Sequence, residues 1–130
     1  MMVDTTFLID LARGDPGARA AAERAETGAE ALLVPAPALA RFWEAVERSR
    51  RAPRDVANLR AFVLAQPGVP FNAEHALAAA RFLADAAAAG AAMDPFDAMV
   101  AAVAWVEDET LLTRSARDFE RIRDLRVQTY

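Results

Sequence analysis

At 130 residues the chain fits one domain, and 55% apolar residues are ample for a core, so a disordered chain is excluded. It has no cysteine, which excludes a disulfide framework and thiolate chemistry, and its net charge of −4 argues against a uniformly basic nucleic-acid binder. The charge is uneven, however: six arginines between Arg41 and Arg60 face only Glu44, Glu47 and Asp55, so a local basic face on an acidic protein is expected. The apolar runs are short or broken by charge, so no membrane span is expected. The start of the chain carries Asp4 and Asp10 with no basic region and does not read as a signal peptide. A cytoplasmic location is the expectation, and the absence of cysteine suits it.

The elements follow in order. Met2 to Asp4 reads as a very short strand and Thr6 to Arg13 as a helix stopped by Gly14. Asp15 caps a second helix with Pro16 in its first turn, running to about Glu26. Ala31 to Val34 is a buried strand ended by Pro35, and "PALARFWEAVERS" is a helix with Leu39, Phe42, Trp43 and Val46 in an apolar stripe. A further helix runs from near Pro53 to Ala65, and "QPGV" turns into a brief extended segment near Val69. Asn72 caps the helix "AEHALAAARFLADAAAA", which Gly90 ends. Asp94, Pro95 and Phe96 open "FDAMVAAVAWVED", a helix apolar on nearly every side and therefore central. "TLLT" is a strand, Ser115 to Ile122 a turn and short helix, and "LRVQTY" a last strand.

Short apolar strands alternating with helices predict an α/β fold: a central parallel sheet covered by helices on both faces, a three-layer α/β/α arrangement in a single domain over residues 1–130. Such sheets place their sites beyond the C-terminal ends of strands. Asp4 stands at one such end. An unpaired carboxylate is costly to bury, so Asp4 needs partners. Asp97 lies in the first turn of the apolar helix, Asp94 most simply caps that helix, and Ser115 and Asp118 follow a strand in "TRSARDF". Oxygen ligands clustered without cysteine suit Mg²⁺ or Mn²⁺. Acids at helix starts are also ordinary capping residues, so these positions alone leave both readings open. His75 reads as a structural histidine, and Phe7, Trp43, Phe82 and Trp105 as core or interface.

Four segments in order, "VDTTFLIDL", "VPAPALARFWEAVERS", "DPFDAMVAAVAW" and "LLTRSARDFERIRDLRV", resemble the PIN-domain family, and within it the VapC-type ribonuclease toxins of VapBC toxin–antitoxin pairs. The resemblance covers almost the whole chain. It implies a compact α/β fold, a homodimer, Mg²⁺- or Mn²⁺-dependent endoribonuclease activity on RNA, and inhibition by an antitoxin protein. It puts the first family acid on Asp4, the acid of the late alanine-rich helix on Asp97, the strand-ending threonine on Thr113 and the aspartate of the "DF" pair on Asp118.

Two positions depart from the family pattern. Arg41 stands where the family carries a glutamate, and Ser115 stands where it carries an asparagine or aspartate. Arg41 inverts the local charge: it is read either as a solvated helix residue or as a partner for Asp4, Asp97 or a phosphate. Glu44, three residues on, lies near the same helix face and is the candidate to replace the missing acid. The resulting catalytic set is Asp4, Asp97, Asp118, Glu44 and Ser115, with Asp4 and Asp97 as metal ligands. The alternative is a catalytically degenerate PIN-like module that binds RNA or protein. The arginine run is a solvated face or an RNA- or antitoxin-steering surface.

Overall fold

The computed structural model describes residues 1–28 and 31–130. The elements are β1 (Met2–Val3), α1 (Thr5–Arg13), α2 (Pro16–Thr27), β2 (Val34–Pro35), α3 (Ala36–Arg48), α4 (Pro53–Leu64), β3 (Gly68–Val69), α5 (Ala73–Ala88), α6 (Pro95–Val106), β4 (Leu111–Leu112) and β5 (Val127–Gln128), with one 3₁₀ turn at Ala116–Asp118 before β5.

All strand pairs are parallel: β1 with β4, β4 with β5, and β2 with β3. A bridge between Met2 and Leu33 joins the two ladders, giving the order β3-β2-β1-β4-β5. Leu33 donates to the Met1 carbonyl at 2.8 Å and Val3 donates to the Leu33 carbonyl at 2.9 Å, which stitches β1 beside β2. Each strand has only two residues, yet Met2, Val3, Leu111 and Leu112 are all fully buried. Successive strand residues point to opposite faces, so both faces of β1 and β4 are covered, which is the expected three-layer α/β/α arrangement.

The central helix is α6. Ala98, Val100, Ala101, Ala102, Val103 and Ala104 are each 0% exposed, and α6 packs against α5 and α3. Its alanines let neighbouring backbones approach closely. The helix α1 packs on α2 and α3 through Phe7 and Leu8 and ends at Gly14, whose φ of 80° suits glycine in the left-handed cap position. Asn72 and His75 form a reciprocal cap at the start of α5: each side chain accepts from the other's backbone N–H, at 3.0 and 3.1 Å. His75 Nδ1 is the acceptor there, so the ring proton sits on Nε2 and is donated to Glu107 Oε1 at 2.9 Å. This ties the start of α5 to the end of α6.

Three boundaries differ from the sequence expectation. The second strand is Val34–Pro35, shifted from Ala31–Val34: Ala31 is exposed, and Pro35, facing Val69, closes the ladder where no further N–H is needed. Asp4 is not a strand residue but the cap of α1. The segment from Ser115 to Ile122 holds only the single 3₁₀ turn, because Phe119 and Ile122 are drawn into the core and end regular winding. Among the aromatics, Phe7 is core, whereas Trp105 is 43% exposed and rests edge-on against Phe82 at 6.0 Å between ring centres. No helix among the described residues is long and apolar enough to cross a membrane.

Candidate active site

The site starts where β1 gives way to α1. Asp4 is 3% exposed, and its backbone N–H donates to the Leu112 carbonyl of β4 at 3.2 Å. Its carboxylate caps α1 by accepting from the Phe7 N–H at 2.9 Å. The Thr6 hydroxyl is shared between both carboxylate oxygens, at 2.8 and 2.9 Å, and Thr113 Oγ1 donates to Oδ2 at 2.5 Å. Each carboxylate oxygen therefore has two hydrogen-bond contacts, which fix its direction. Burial raises the Asp4 pKa above the ordinary carboxylate value, opposed by the bonds from Thr113, Phe7 and Thr6.

Thr113, 0% exposed, is set by the sheet: its N–H donates to the Gln128 carbonyl of β5 at 3.0 Å. Having donated to Asp4, its hydroxyl accepts from the Ser115 N–H at 3.0 Å. Ser115 thus contributes backbone geometry. Its carbonyl accepts from the Asp118 N–H at 3.0 Å, and its side chain caps nothing.

Asp97 is half-buried in the first turn of α6, which Asp94 caps by accepting from the Phe96 and Asp97 N–H groups at 2.9 and 3.2 Å. Its pKa is raised to about 6: burial is the main cause, then the charges of Asp94, Asp4 and Asp118, while Arg41 lowers it. Asp4, Asp97 and Asp118 therefore belong to one electrostatic neighbourhood, although they come from α1, α6 and the turn after β4. They are not drawn into a cage: no group of three or more acid, histidine or cysteine side chains among the described residues is close enough to hold a metal ion.

Glu44 makes its ion pairs along its own helix. It pairs with Arg48 at 3.0 Å, one helical turn along α3, and more distantly with Arg41 at 4.0 Å; its charge is not among those acting on Asp97. Arg41 does not pair with Asp4 or Asp97. Its guanidinium lies 3.9 Å from Asp94 and 5.3 Å from the centre of the Phe96 ring, so it braces the start of α6.

Sequence reasoning missed a second polar group next to Asp4. Asp10, 4% exposed, accepts from Arg114 Nη1 with both oxygens, at 2.7 and 2.8 Å, and from the Tyr130 hydroxyl at 2.8 Å. Burial and then its bond to Asp10 push the Tyr130 phenol well above its ordinary pKa. The available signal was Asp10 itself, an acid three residues after Phe7 on the apolar face of α1, which demands a cation. Arg114 supplies that cation.

The donor set suits a hard cation held loosely. Mg²⁺ is commonly bound by one or two carboxylates, with waters and substrate phosphates completing its shell. Asp97 is raised first by burial and then by the charges of Asp94, Asp4 and Asp118, and a divalent cation would offset that charge repulsion. Next to Asp4 in the chain, Thr5 Oγ1 is the one buried side-chain oxygen without a hydrogen-bond partner among the described residues.

The topology, the acid at the end of β1 and the acid at the start of the buried helix define a class, and the family model for the PIN domain matches residues 1–125: the chain belongs to the PIN domain family. No curated protein matches it in sequence. Among solved structures it is similar to VapBC2 from Rickettsia felis bound to a DNA fragment from their promoter, with a TM-score of 0.88 and 18% identity over 99% of this chain and 97% of that one. DNA-bound VapBC from Salmonella typhimurium gives a TM-score of 0.85 and 22% identity over 98% and 96% of the two chains. Mycobacterium tuberculosis VapC20, a sarcin–ricin loop cleaving toxin, gives 0.64 and 20% identity over 84% of each. The fold is thus the one found in VapBC toxin–antitoxin complexes.

Proposed function

We propose that this PIN-domain protein is a VapC-like toxin: an endoribonuclease dependent on Mg²⁺ or Mn²⁺, cytoplasmic, homodimeric and restrained by a cognate antitoxin protein. The observation that carries the reading is the construction around Asp4. A carboxylate fixed by a helix cap, by the neighbouring Thr6 hydroxyl and by the Thr113 hydroxyl from the far end of the chain shares an electrostatic neighbourhood with Asp97 and Asp118. Similarity to VapBC complexes, and to a toxin that cleaves the sarcin–ricin loop, supports an antitoxin partner and an RNA substrate.

In this mechanism Asp4 and Asp97 would hold the cation. When bound, the cation supplies Lewis-acid stabilisation of phosphate charge and an acidified water for in-line attack on a phosphodiester. The bonds from Thr113 and Thr6 favour the ionised form of Asp4 against the effect of burial and aim its carboxylate. Asp118, exposed on its turn, orients water at the edge of the site. Glu44 and Ser115 are assigned weaker duties: Glu44 must leave Arg48 to take part, and Ser115 acts through its backbone. The exposed arginines Arg50, Arg51 and Arg54 offer sequence-independent phosphate contacts.

A specific observation favours a second reading. Arg41 occupies the position of a family glutamate, and its positive charge acts on Asp97 where that glutamate would add a negative one. A catalytically degenerate module that binds RNA or protein fits that substitution. Calorimetric titration with Mn²⁺ separates the two. Binding that is lost in Asp4→Asn supports the nuclease, and absence of binding at millimolar Mn²⁺ sinks it.

A further inference from the structure

We propose that Arg114 is a positioning residue for the Asp4 site, clamping the loop after β4 onto α1 so that the Asp4 carboxylate stays aimed. The inference rests on the reading of Asp4 as a site carboxylate.

Three contacts tie this loop to α1 within two consecutive residues. The Thr113 hydroxyl donates to Asp4, the Arg114 N–H donates to Thr6 Oγ1 at 3.3 Å, and the Arg114 guanidinium donates to Asp10. Thr6 and Asp10 are four residues apart, so they share one face of α1 just below the Asp4 cap. Thr6 Oγ1 accepts from the Arg114 backbone and spends its own proton on Asp4, so moving the loop moves the donor. The clamp is obligatory because Asp10 is 4% exposed: without the guanidinium, a buried carboxylate is left, among the described residues, with the Tyr130 hydroxyl alone. The arginine is itself 57% exposed, so it can satisfy Asp10 while most of its length stays in solvent. Beyond the clamp, the loop holds only a single 3₁₀ turn before Phe119 anchors it in the core. Arg114 is therefore the constraint nearest to Thr113 on the outgoing side.

The test uses the full chain, ¹⁵N-labelled, as wild type, Arg114→Ala, Arg114→Lys and Asp10→Asn. Amide exchange is read at Phe7 and Ser115, whose N–H groups donate to Asp4 and Thr113, and at Val3 as a reference inside the sheet. Mn²⁺-dependent cleavage of a single-stranded RNA gives kcat and KM. Arg114→Ala is expected to speed exchange at Phe7 and Ser115 by about tenfold relative to Val3. It is expected to lower kcat by about tenfold or more with KM within about twofold, because a misaimed group costs rate rather than binding. Asp10→Asn should act in the same direction, and Arg114→Lys should recover most of the loss. Unchanged exchange at Phe7 and Ser115, an equal rise at Val3, or a raised KM with normal kcat overturns the proposal. If Arg114→Ala does not fold, the lysine and asparagine variants carry the same comparison. A wild type that neither binds Mn²⁺ nor cleaves RNA overturns the nuclease reading instead, and the exchange data still decide the clamp.

Discussion

Thr113 Oγ1 lies 2.5 Å from Asp4 Oδ2, joining residues 109 positions apart, and both side chains are buried. This bond connects the start of α1 to the end of β4, across the adjacent C-terminal ends of the parallel β1–β4 pair. It also relays: the same hydroxyl accepts from Ser115.

Replacing Thr113 with valine keeps the shape and removes both bonds. Asp4 loses a donor and the Ser115 N–H loses its acceptor. The expected cost is about 1–3 kcal/mol, since buried polar groups are left unmatched, and serine should restore most of it. Urea unfolding of the valine and serine variants checks this.

Asp4→Asn should leave the fold nearly intact, because asparagine is as good a helix cap as aspartate. Its stability should stay within about 1 kcal/mol of wild type by thermal unfolding, while Mn²⁺ no longer raises Tm. Loss of folding would show that the charge of Asp4 is structural.

Asp97 predicts a pH dependence with a definite sign. Its folded pKa of about 6 lies above the ordinary 3.8. Between these values the folded state binds more protons than the unfolded one, so this group makes stability rise as pH falls from about 6 to 3.8. Its unfavourable contribution is fully present above pH 6 and absent below 3.8. Asp97→Asn should therefore stabilise the metal-free protein at pH 7–8 by about 1 kcal/mol, after allowing for solvent screening at a half-buried site, with no gain near pH 4. Denaturant curves at pH 4 and 7.5 make the comparison. The same carboxyl must be ionised to bind a cation, so Mn²⁺ affinity should fall as pH drops below about 6.

Arg41→Glu should reinstate the acid of the family pattern. It removes the positive charge that lowers the Asp97 pKa and adds a negative one, so that pKa should rise above about 6. Mn²⁺ affinity at pH 7.5 should increase by about tenfold, as added ligand charge tightens divalent sites. Calorimetry that finds weaker binding would show that Arg41 supports the site.

His75→Ala removes the reciprocal cap of α5 and the link to Glu107 together. A loss of about 2–3 kcal/mol is expected from the cap and the buried bond. His75→Gln should recover part of it in the same unfolding assay.

What the sequence by itself determined was local. Helix spans, the caps at Asp15, Asn72 and Asp94, the stop at Gly14 and the buried character of α6 follow from residue spacing, and the structure has them in place. The family, too, was legible in four ordered segments. Only the tertiary structure decided the partners of charged groups. Glu44 was expected near the site, but its contacts are with Arg48 on its own helix and with Arg41. Arg41 was left open among several partners and lies against Asp94 and Phe96. Arg114 and Asp10, 104 positions apart, found each other because β4 lies beside β1 and delivers its outgoing loop onto α1. Helical period places a side chain on a face within one element, whereas the energy of a long charged side chain depends on which other elements pack within a few ångströms of it, and that is settled only when the chain has folded.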